Sequence, residues 1–183
     1  MKFQRVFLLL AIAFLASASS LSAQIYHHQL GGGLLGSDDG FGLTINPVIF
    51  YEARFNIAEP SSDLSISINA APGGFIDGVI SSRGGSAGSV VFDIPAYVSA
   101  NLGGYSTYTS DSYFGGFAGL GYEFSTFAST FGGSGVTSGP MAIGGLRFLV
   151  ADNPYQVAVS YMLGLNDNPS QVGLRLSFLL GDY

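Results

Sequence analysis

His27 and His28 are the only two histidines in the chain. With Glu123 and one of the many serines they supply the residue types of a nucleophilic site, in which a base reaches a hydroxyl and a third group orients the base. No motif ties them together, so they meet only the residue-type part of that requirement. Nor do the histidines chelate one metal as a pair, because adjacent residues of an extended chain point to opposite faces. His27 is expected to point inward and His28 outward. The absence of cysteine removes thiolate metal sites and disulfides. The glycine runs at 31–33, 115–116 and 144–145 lack the Gly-Lys-Ser/Thr ending of a phosphate loop and lead into no helix. The sequence therefore assigns no catalytic, cofactor-binding or metal-binding residue, and the histidine–serine–carboxylate set stands as a minor alternative.

Six charged residues form a more coherent set: Glu52, Asp93 and Glu123 against Arg54, Arg147 and Arg175. Each falls in an alternating segment, on the face opposite the large apolar residues. Leu43, Ile45, Ile49, Tyr51, Phe55 and Ile57 share one face of a strand whose other face carries Thr44, Asn46, Glu52, Arg54 and Asn56, as strand alternation requires. Phe92, Ile94, Val98 and Leu102 oppose Asp93, Tyr97, Ser99 and Asn101 in the same way. In the last segment Val172, Leu174, Leu176, Phe178 and Leu180 oppose Gly173, Arg175 and Ser177.

The elements that hold this set are strands, and their faces decide where they fold. Charged residues make up 10% of the chain, against about a quarter in ordinary soluble domains. So few charges cannot wet a surface, which points to the reverse arrangement: apolar faces outward into lipid, polar faces inward. An arginine on the lipid face would cost about 2–4 kcal/mol at mid-bilayer, and that magnitude fixes the orientation. Three acids balance three arginines. The cluster is read as structural filling of the interior that satisfies itself by charge-assisted hydrogen bonds, since pairing offsets the cost of burying each charge.

About eight strands carry the pattern, roughly 26–35, 42–57, 64–71, 90–102, 113–124, 141–150, 155–165 and 172–180. Most are long enough for a membrane strand of about 9–11 residues, and the third is short. Turn chemistry separates them at 37–40, 59–63, 152–154 and 166–169. Two Gly- and Ser-rich stretches, Gly73–Gly88 and Ser125–Gly139, are expected as surface loops on one side. Shorter turns lie on the other side, with 103–112 intermediate. Pro47 and Pro95 sit inside proposed strands, where a missing ladder donor calls for bulges or strand ends nearby. The expected fold is all-β: one antiparallel up-and-down transmembrane β-barrel of about eight strands, its interior filled by side chains rather than open.

The N-terminus agrees with that address. Lys2 and Arg5 precede the apolar run 6–18, and Ser22-Ala23 before Gln24 offers a cleavage point, the three-part pattern of a secretory signal peptide. Residues 1–23 are thus expected to be removed, leaving 183 − 23 = 160 residues as one barrel domain, 24–183. That chain keeps 6 − 2 = 4 basic residues against 12 acidic ones, a balance that argues against nucleic acid as a partner.

The export signal, the Gly-rich alternating strands and the final segment 171–180, with an aromatic residue, Tyr183, at the end, resemble the small outer-membrane β-barrel family of Gram-negative bacteria. The likeness covers the whole mature chain as a texture; Gly181-Asp182 interrupts the alternation before Tyr183. It implies residence in the cell outer membrane, contact with outer-membrane lipid, insertion by the barrel-assembly machinery and no cofactor or defined reaction. The expected role is structural or one of surface interaction, with an unknown loop partner. Two alternatives remain open. One is a secreted soluble β-sandwich or ligand-binding barrel with its apolar faces buried against each other. The other is a barrel enzyme modifying outer-membrane lipid through His27 and Glu123.

Overall fold

The structure, a computed structural model, describes residues 26–38, 43–80, 86–129, 134–165 and 169–180. The proposed leader 1–23 and Tyr183 lie outside these. Nine strand segments follow in chain order: β1 (Tyr26–Asp38), β2 (Leu43–Ser61), β3 (Leu64–Ala70), β4 (Gly73–Ile80), β5 (Ser86–Gly103), β6 (Phe114–Ser129), β7 (Ser134–Val150), β8 (Asn153–Met162) and β9 (Gln171–Leu180). All pairs are antiparallel, and β1 pairs with both β2 and β9, which closes the sheet. β3 and β4 share one place in the ring, each bridging β2 and β5. The barrel therefore has eight strand positions, the third broken at Ala71-Pro72.

That break explains one proline. β5 pairs with β3 up to Ala96 and with β4 from Asp93, so Pro95 lies opposite the interruption and its carbonyl accepts from the Ala71 amide at 3.0 Å. Pro47 lies beyond the last β2–β4 pair, Ile49↔Gly74, where that side of β2 has no ladder. Pro95 sits where a strand is interrupted beside it and Pro47 where the pairing with β4 has stopped, so neither removes a ladder donor on that side.

Following paired residues once round the ring runs Phe92, Gly74, Ile49, Gly32, Leu176, Val157, Leu146, Gly116 and back to β5 at Leu102, ten residues from the start. With eight strands about 4.8 Å apart and about 3.3 Å per residue, a shear of ten gives a strand tilt of about 40° and a backbone radius of about 8 Å. Such a tube has room for side chains and little else.

Outward positions are apolar around the circumference, with Leu30, Leu34, Ile49, Phe92, Leu120, Leu146, Val159 and Leu176 all exposed. Aromatic residues mark both margins of this band. Across β7, β8 and β9, Phe148 stacks on Tyr155 and Tyr155 meets Phe178 edge to face, with centroids 6.5 and 5.6 Å apart, near the end where the chain enters, here the lower end. Phe92, Tyr122, Phe124 and Tyr161 are exposed near the upper end. Apolar wall with aromatic girdles is the surface of a membrane barrel. The sandwich alternative, which needs those faces buried, is overturned by this single ring with its apolar face outside.

The two Gly/Ser-rich stretches correct the loop expectation over their described parts, with 81–85 and 130–133 outside the described residues. Residues 73–80 and 86–88 pair as a β4–β5 hairpin, and 125–129 and 134–139 as the upper part of β6–β7. Strand pairing simply continues above the band. β8 and β9 are only 10 residues each, so the wall is tall on the β4–β7 side and low on the other.

Inward aromatics sit directly opposite glycine: Phe50↔Gly31, Tyr97↔Gly121 and Phe117↔Gly145. A Cβ at Gly121 would collide with the Ala96 carbonyl oxygen and with Tyr97 Cβ, so the missing side chain makes room for the ring. Gly121→Ala is expected to destabilise the barrel by about 1–3 kcal/mol through overpacking, read as a lowered urea midpoint; an unchanged midpoint would show that the ring has space to spare.

Candidate functional site: the lumen and its lower mouth

The side chains that carry chemistry all face the lumen. Glu52, Arg54, Asp93, Glu123, Arg147 and Arg175 are each at most 3% exposed, on the faces that alternation assigned. Their mutual pairing, however, departs from expectation. Asp93 on β5 accepts from Arg175 Nη2 on β9 at 2.8 Å, a buried ion pair. Arg175 also lies over the Phe50 ring, 5.2 Å from its centroid, where the ring quadrupole adds attraction. Glu123 is the second carboxylate near this arginine. Among the described residues neither of its oxygens has a hydrogen-bond partner. Glu52 accepts from the Tyr97 hydroxyl at 2.6 Å.

Arg147 and Arg54 donate hydrogen bonds to neutral groups. Arg147 donates from Nε to Gln156 at 2.8 Å and from Nη2 to Asn101 at 2.8 Å, over the Phe117 ring at 4.7 Å. A chain of bonds runs outward from it. Gln29 donates to Gln156 at 3.3 Å and accepts from Ser177 at 2.7 Å. Asn101 donates to Ser67 at 2.8 Å, and Ser67 donates to Asn56 at 2.7 Å. This transverse network ties β9, β1, β8, β7, β5, β3 and β2 across the tube. The sequence showed these amides and hydroxyls on the inward faces; what it lacked was the register that makes Arg147 their hub.

Arg54 and Asn56 turn to the 104–113 connection. Arg54 Nη2 donates to the Tyr105 carbonyl, and Asn56 Nδ2 to the Ser106 carbonyl at 2.9 Å. Partial burial, with the Asp152 carboxylate nearby, pushes the Tyr105 phenol above its ordinary value. Tyr105, Ser110, Asp111, Tyr113, Asp152 and Leu179 line part of a vestibule of about 740 Å³ beside this connection.

The triad residues are not brought together. His27 is buried at the lower end of β1, opposite Arg54. Glu123 lies near the upper end, about 18 Å higher by the strand register and tilt. His28 faces outward and bonds the Tyr51 hydroxyl, as alternation required. Among the described residues no group of three or more His, Cys, Asp or Glu side chains is placed to hold a metal.

Ring closure, a shear of ten and an apolar exterior define a small eight-stranded membrane barrel, and solved structures share that architecture. Ail, the attachment invasion locus protein of Yersinia pestis, in complex with the heparin analogue sucrose octasulfate, is 13% identical, with 85% of this chain and 97% of that one covered at a TM-score of 0.58. Another crystal structure of Ail covers 87% and 100% at 14% identity and a TM-score of 0.54. Neisserial surface protein A is 13% identical over 85% and 96%, with a TM-score of 0.55. At these identities the likeness is one of fold. No protein-family model and no curated protein matches the sequence.

Proposed function

We propose that this chain is an integral outer-membrane barrel with a structural or surface-interaction role, exported by removal of residues 1–23 and neither an open pore nor an enzyme. The observation that carries the reading is the inversion of polarity: apolar residues ring the outside while six buried charges face the lumen. A tube of about 8 Å backbone radius filled by such side chains passes no solute freely. Its partners are membrane lipid on the outside and, during insertion, the barrel-assembly machinery; the acidic balance leaves no basis for nucleic acid. In that setting the lower end is periplasmic, and the tall β4–β7 sheet stands on the outer side, where a surface partner would meet it.

The sulfated ligand seen with Ail does not carry over. Recognising clustered sulfates takes clustered Lys and Arg; Arg54, Arg147 and Arg175 are buried inside the barrel, which leaves Arg83 as a single further basic residue in 24–183. The enzyme reading loses its geometry, since His27 and Glu123 occupy opposite ends of the lumen.

Fractionation of the untagged exported protein tests the assignment. Retention in the outer membrane through an alkaline wash, release only by detergent and a heat-dependent gel shift are expected. A soluble, monodisperse protein in the absence of detergent would overturn it.

A further inference from the structure

We infer that the connection 104–113 is a built-in plug that closes the β2–β3 side of the periplasmic mouth of the lumen, with Arg54, Asn56 and Ser65 as its anchors. The inference rests on the filled-barrel reading above and deepens it. The other described turns at this end span two residues each, 62–63 and 151–152, so a strand connection needs no such length. A loop resting on the rim would also expose its polar side chains. Here Ser106 is 0% and Thr107 3% exposed. Inward donors from two wall strands converge on the loop backbone: the Ser106 carbonyl accepts from Asn56 at 2.9 Å and from Ser65 at 2.6 Å, and the Tyr105 carbonyl from Arg54. A second row of bonds fixes the outer edge. Thr107 donates to the Ser62 carbonyl, while Ser110 and Ser112 donate to Asp63 at 2.6 and 3.2 Å.

The local backbone lets the loop turn in. Gly103 has φ +70°, and a Cβ there would strike the Phe114 carbonyl oxygen, so glycine is required where the chain folds back. Tyr105 follows at φ 60°, an uncommon conformation for a non-glycine residue that the Arg54 contact holds. The plug is eccentric. It is bonded to the β2–β3 side and leaves the vestibule on the β7–β9 side. Above it, Ser65 and Ser67 are fully buried, although they lie near the mouth.

Because the chain lacks cysteine, Ser67→Cys gives a single thiol one inward position above the plug. The probe is a cationic methanethiosulfonate reagent, applied to folded protein in detergent. With the plug intact, labelling is expected to be roughly a hundredfold slower than in a variant whose residues 105–110 are replaced by Asn-Gly, the protection expected of a segment that must open locally. Equal rates in the two folded forms would overturn the plug. Should the shortened chain fail to give a heat-modifiable band, Asn56→Ala with Ser65→Ala in the full-length chain replaces it. A rise of about tenfold is then expected, as each lost anchor favours local opening, and an unchanged rate would overturn the plug. Ser67→Cys protein with the plug intact that labels as fast as Ser110→Cys and shows no heat shift would instead indict the barrel reading itself.

Discussion

Arg175→Gln is expected to destabilise the folded barrel by about 3–5 kcal/mol, because removing one partner of a buried pair leaves the other charge uncompensated. Two carboxylates are stranded here: Asp93, which loses its 2.8 Å partner, and Glu123 beside it. Asp93→Asn is expected to cost less, since Glu123 remains to face the arginine. Glu123→Gln should be the mildest, as neither Glu123 oxygen holds a hydrogen bond among the described residues. Urea titrations of the refolded variants in lipid vesicles rank the three. A ranking with Glu123→Gln worst would show that Glu123, rather than Asp93, is the arginine's working partner.

Leu176→Arg attacks the opposite face of the same strand. Leu176 is 53% exposed, near the middle of the apolar band, where an arginine costs about 2–4 kcal/mol and less toward either interface. That is a loss of roughly 30- to 700-fold in the folded ratio, at 1.4 kcal/mol per factor of ten. Vesicle refolding followed by the heat-dependent gel shift is the measurement. Leu180→Arg, at the lower margin, should be far milder. Equal yields for the two would mean that the band does not face lipid where the strand register places it.

The contrast between neighbouring residues 175 and 176 shows what the sequence made legible. Period-two alternation is set by backbone geometry, and it puts the six charges and His27 on one face of their strands, where they are buried. It did not say which charges meet. Arg175 reaches Asp93 across the tube, 82 positions away in the chain, and that depends on a shear the pattern of one strand does not contain. Arg54 escaped for another reason: its partner is a backbone carbonyl of Tyr105, and a carbonyl leaves no mark in residue types. Gly73–Gly88 and Ser125–Gly139 misled because glycine and serine are weak strand formers by propensity, whereas continued pairing with a neighbour already in place decides their state.

The glycines opposite the interior aromatics have one more consequence. Slipping one strand by two residues keeps every side chain on its proper face, so hydrophobic patterning alone does not forbid it. At the β6–β7 seam such a slip would drive Phe117 into Ile143 or Arg147 instead of Gly145. It would also change the shear to eight or twelve and the radius to about 7.6 or 9 Å. The missing side chain at position 145 thus fixes the register of one seam, and with it that seam's share of the bore.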